Sequence, residues 1–80
     1  MAIVFFSSEL EAILGCTQLK VAALSYRELL NELSECLPNY LEANLETLAL
    51  VIDGEIVQEP FLATFEANSE LHFIQKIAAG

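Results

Sequence analysis

The sequence predicts an α+β domain in which a mixed sheet of four to five strands packs on one main helix. Three observations carry that expectation. A continuous β-branched and aromatic run, Ala2-Ile3-Val4-Phe5-Phe6, opens the chain. One long amphipathic pattern, from Tyr26 to Leu37, has the spacing of a helix. An Asp53-Gly54 pair separates two strand-like runs, the strongest short-range hairpin signal a sequence offers.

The elements follow in order. Ala2–Phe6 reads as a strand buried on both faces, and therefore central in a sheet. Ser8-Glu9-Leu10-Glu11 has the S-x-x-E form of a capping box, with Leu10, Ile13 and Leu14 at helical spacing behind it. Gly15 stands where a left-handed C-cap is wanted, so one or two helical turns fit here. Thr17–Val21 reads as a second strand, with Leu19 and Val21 on one face and Gln18 and Lys20 on the other.

The main helix opens with a second capping box, Ser25-Tyr26-Arg27-Glu28. Tyr26, Leu29, Leu30, Leu33 and Leu37 form its apolar stripe, and Pro38 ends it. A short helical turn is expected from Asn39 within the ambiguous stretch 39–46. Leu48–Ile52 and Glu55–Val57 are the arms of a hairpin whose central residues, Asp53 and Gly54, need positive φ. Pro60 starts a loop, Thr64–Ala67 is a candidate to touch the sheet, and Asn68-Ser69 turns into a last strand, Glu70–Ile74. With the first and last strands both central, they lie parallel and the helix crosses one face. That is a β-grasp arrangement, with a β-grasp domain over 1–74 and a flexible C-terminal tail over 75–80.

Eighty residues make one domain, small enough to bury only about 60% of its unfolded surface. A composition that is 55% hydrophobic is high for that size, so some apolar side chains are expected outside. Twelve acids face three bases, Lys20, Arg27 and Lys76, for a net charge of −9. This argues against nucleic acid and anionic membrane as partners, since both demand clustered Lys and Arg. It favours a partner with a basic face. Cys16 and Cys36 are too far apart for a C-x-x-C motif and read as reduced thiols of a cytoplasmic protein. The run Ala2–Phe6 is too short for a signal peptide core or a membrane span.

The tail, Gln75-Lys76-Ile77-Ala78-Ala79-Gly80, offers little to a core and ends on glycine. Extended, it reaches roughly 20 Å, enough to present a carboxylate inside a partner's pocket. Phe73 and Ile74 precede it, and strand alternation requires one of them to face away from the core. That outward residue is a candidate partner contact, and Phe73 reads as core packing. His72 is alone, with no second histidine in the sequence, and no metal site is expected. The Glu28, Glu32 and Glu35 row reads as a solvated helix face.

Several segments together resemble the MoaD/ThiS family of ubiquitin-like sulfur-carrier proteins. They are Val4-Phe5-Phe6 with Glu9–Gly15, the central helix, Val51-Ile52-Asp53-Gly54-Glu55-Ile56-Val57, and the last strand with its tail. Within the family the likeness is closest to the small subunit of molybdopterin synthase.

The resemblance implies a protein without catalytic residues of its own, the sulfur-donating subunit of a sulfurtransferase complex in molybdenum cofactor biosynthesis. Gly80 would be adenylated by an ATP-dependent, E1-like activating enzyme and converted to a thiocarboxylate. Ile74, Ile77, Ala78 and Ala79 would contact the molybdopterin synthase large subunit. ATP would be used by the activating partner, and no cofactor would be bound by this chain.

The family ends in Gly-Gly, whereas this chain has Ala79-Gly80. If the penultimate residue must take positive φ, alanine costs roughly 1–2 kcal/mol. Gln75-Lys76-Ile77 is similar to the thiamin branch. Two alternatives therefore stay open: a ThiS-like carrier for the thiamin thiazole, and a β-grasp interaction domain without carrier activity.

Overall fold

The computed structural model describes residues 1–75 and has the α+β architecture expected, a β-grasp fold with a five-stranded mixed sheet. In chain order the elements are β1 (Ala2–Phe5), α1 (Ser8–Leu14), β2 (Gln18–Val21), α2 (Tyr26–Cys36) and α3 (Tyr40–Ala43). A 3₁₀ turn over Leu45–Thr47 leads to β3 (Leu48–Ile52) and β4 (Glu55–Val57). A second 3₁₀ turn over Pro60–Leu62 precedes β5 (Glu70–Gln75). The strands lie in the order β2-β1-β5-β3-β4. β1 and β5 are central and parallel, with Val4 opposite Leu71; every other neighbouring pair is antiparallel.

Local chemistry explains the element boundaries. Ser7 rather than Ser8 caps α1, its hydroxyl accepting from the Leu10 N–H at 3.4 Å from an extended backbone. The helix stops at Gly15, whose φ of 82° is strained for any residue with a side chain. Ser25 caps α2 and accepts from the Glu28 N–H at 3.3 Å. Asp53 and Gly54 take φ of 49° and 89°, the two positive values a type I′ turn requires.

Asp53 does more than turn the chain. Its backbone N–H donates to the Glu70 carbonyl, and its carboxylate accepts from the Glu70 N–H, both at 2.9 Å. These contacts with Glu70 and Ser69 hold the Asp53 carboxyl below its usual pKa. The hairpin is thereby latched to the start of β5. At the other end, β5 runs one residue past Ile74, because Gln75 still pairs with Leu48.

The core lies between the sheet and α2. Leu29 and Leu33 of α2, Val4 of β1, Leu50 of β3 and Leu71 and Phe73 of β5 are all buried in one cluster. Burying a leucine of this kind stabilises by about 1.5–3 kcal/mol. Thr64 bridges to Ser25 rather than to a sheet strand. The Tyr26 N–H donates to Ala63 and the Phe65 N–H to Leu24, so this loop is tied to the start of α2.

Two further expectations are corrected. β1 is central but not covered on both sides: Ala2 and Val4 are buried, whereas Ile3 and Phe5 are half-buried on the opposite face. The sequence run could not show that no second layer covers that face. The acidic row of α2 is not simply solvated. Glu32 accepts from the Ala22 N–H through both oxygens, at 3.0 and 3.1 Å, and from the Ala23 N–H at 3.1 Å. Glu28 accepts from the Leu24 N–H at 3.0 Å. These carboxylates satisfy the backbone donors of the β2–α2 connection, which no strand or helix partner serves.

Candidate functional site

With α2 on one face of the sheet, no helix among the described residues covers the other face, and its side chains follow from register. Gln18, Phe5, His72, Val51 and Ile56 are successive ladder partners, so they form one row across all five strands. Residues directly opposite in a ladder share a face and lie close enough for their side chains to touch. Phe5, Val51 and Ile56 make most of this row apolar, and Ile56 is 50% exposed. His72 stacks on Phe5 with ring centroids 4.9 Å apart and planes at 16°.

A second row adds Ile74 opposite Ala49. Ala49 is fully buried yet does not belong to the core cluster, so this part of the outer face is shielded rather than open. Beyond the main row on the other side, Lys20 and Glu70 flank Ile3. The result is an apolar centre with charged residues at one edge. That is the usual composition of a protein-binding patch.

Phe73 is buried and Ile74 half-buried on the opposite side of β5, as alternation demands. Ile74 therefore joins the patch. Where β5 ends, Ile74 and Gln75 also border a cleft of about 650 Å³, with Glu9 of α1 and Glu42 of α3 on its other walls. The proposed tail residues Ile77, Ala78, Ala79 and Gly80 lie outside the described residues.

Cys16 is half-buried and Cys36 exposed, and both are free thiols. Among the described residues no three His, Cys, Asp or Glu side chains come together as ligands for a metal ion. No helix among them is long and apolar enough to cross a membrane.

Sequence reasoning found Ile74 and missed Phe5, Val51 and Ile56. The signal was present in the hairpin. Once Asp53-Gly54 fixes the turn, Val51 must pair with Ile56, and Ile52 then takes the core side. What the pattern could not supply was the absence of a covering layer. No protein-family model matches this sequence, and no curated protein matches it.

Proposed function

We propose that this chain is a sulfur carrier of the MoaD/ThiS type that docks through the outer face of its sheet and carries sulfur on Gly80. The observation that carries the reading is the uncovered apolar row Phe5–His72–Val51–Ile56, continued by Ile74 on the strand that leads to the tail. A carrier needs a rigid body that partners can grip and a reactive end that they can process. The β-grasp supports this division, since α2 closes one face of the sheet and leaves the other available.

The chemistry assigned to Gly80 is simple. An α-carboxylate, with an ordinary pKa of about 3.3–3.7, is ionised at neutral pH. It attacks the α-phosphate of ATP in the activating enzyme and pyrophosphate leaves. Sulfide supplied by a donor then attacks the acyl carbon of the adenylate, forming the carbon–sulfur bond as the carbon–oxygen bond to AMP breaks, and AMP leaves with that electron pair. A glycine at this position leaves the carbonyl carbon unhindered. The thiocarboxylate serves the molybdopterin synthase large subunit in this reading.

A second reading is an interaction domain without carrier activity, favoured by Ala79 in place of the family's glycine. Intact mass after incubation with an adenylating enzyme, ATP and a sulfur source separates the two. The carrier reading expects exchange of one oxygen for sulfur, mapped to Gly80. No conversion of this chain, with full conversion of the Ala79→Gly variant, would establish the second reading instead. A thiamin-branch carrier would convert equally but bind a thiazole synthase rather than the large subunit.

A further inference from the structure

A second cleft lies in the helical layer, on the far side of the sheet from the face described above. Tyr26 and Leu30 of α2, Tyr40 of α3, Glu46, and Phe61 and Leu62 of the second 3₁₀ turn line a space of about 740 Å³. That is within the range of sites that hold small ligands or single side chains.

Three features of this cleft go together. The Tyr26 side chain is 2% exposed, and its hydroxyl has no hydrogen-bond partner. A phenylalanine there would fill the same space without that cost, so the hydroxyl calls for an incoming polar group. Phe61 and Leu62 are 51% and 89% exposed and present an apolar lip beside it. The Tyr26 and Phe61 rings stand at 88° with centroids 6.1 Å apart, which makes two walls of an aromatic corner.

The electrostatics select the sign of the visitor. Burial and the Glu46 carboxylate both push the Tyr26 and Tyr40 phenols above their ordinary pKa, keeping them neutral. Glu46 thus sets a negative potential at the two tyrosine rings. A cation with N–H donors fits: ring faces attract it, Glu46 pairs with it, and the half-buried Tyr40 phenol oxygen accepts its hydrogen bond. An aliphatic stem would lie along Leu30 and Leu62.

We propose that this cleft receives a lysine or arginine side chain carried on an apolar-flanked segment of a partner protein. The chain's net charge of −9 draws such a segment in. Arg27 also lines the α2 wall, and its charge opposes a cation seated beside it. The site is separate from the outer sheet face and stands whether or not Gly80 carries sulfur.

The chain supplies its own reporter, because it has two tyrosines, both in this cleft, and no tryptophan. Tyrosine emission of the full chain is followed while a capped Leu-Arg-Leu peptide is added, and again with its neutral citrulline counterpart. A saturable change is expected with the arginine peptide, about tenfold weaker with citrulline. Glu46→Gln, at an exposed position, should weaken the arginine peptide by about fivefold without altering the fold. Backbone amide shifts should fall on Leu30 and Phe61. Equal binding of both peptides, no saturable change at millimolar peptide, unchanged affinity of Glu46→Gln, or shifts confined to Phe5 and Val51 would each overturn the proposal.

Discussion

The two faces of the sheet are built from the same strands, yet they obey different rules. On the inner face Val4, Leu50, Leu71 and Phe73 are sealed by Leu29 and Leu33 of α2. On the outer face Phe5, Val51, Ile56 and Ile74 are of the same chemical type and lack such a lid. The apolar content of a strand therefore does not tell which side is core. Inner residues are fixed by packing, and outer ones answer only to solubility and to whatever docks there.

Substitutions on the two faces should therefore differ in their effects. Leu33→Ala on the inner face should cost about 2–5 kcal/mol, enough to lower the thermal midpoint by well over 10 °C in a domain this small. Ile56→Ser on the outer face should stay within about 0.5 kcal/mol of the parent. Thermal melts of the pair measure both. Similar losses at the two positions would mean that the outer face is also structural.

A smaller effect concerns how α2 is joined to the sheet. Glu32→Ala strands the Ala22 and Ala23 N–H groups and should cost about 1–3 kcal/mol. Hydrogen exchange at those two amides should accelerate, and Glu32→Gln should restore part of the protection. Unchanged exchange would show that water replaces the carboxylate at no cost.

The smallest effect is one of pH. Asp53 has a lowered pKa in the folded chain, so its contribution is present above the ordinary carboxylate value of about 3.9. That contribution is lost as the pH falls through the lower folded value. Denaturant titrations from about pH 5 to about pH 2 should show a shallower loss of stability in Asp53→Asn than in the parent. Identical acid limbs would mean that the Asp53–Glu70 latch contributes nothing in solution.

Much of the fold was legible because it rests on local chemistry. Asp53-Gly54 announces positive φ, Ser25 and Glu28 announce a helix start, and Gly15 announces a helix end. The β-grasp order followed from placing the two apolar strands together. The site was less legible. Ile74 emerged from alternation alone, but Phe5 and Val51 were indistinguishable from core residues until the position of α2 was known. Glu32 and Glu28 misled for a related reason. A carboxylate on a helix has the same spacing whether it meets water or the N–H groups of a neighbouring loop. The unpartnered Tyr26 hydroxyl left no trace in the pattern, since tyrosine fits an apolar stripe as well as phenylalanine does.

In the proposed function, partners process Gly80 through the outer sheet face. Its most direct test is an Ile56→Asp, Ile74→Asp double variant, with thermal midpoint and thiocarboxylate formation measured on the same sample. The midpoint should stay within a few degrees of the parent and conversion by the activating enzyme should slow by about tenfold or more. Conversion at the parental rate in a folded double variant would contradict it.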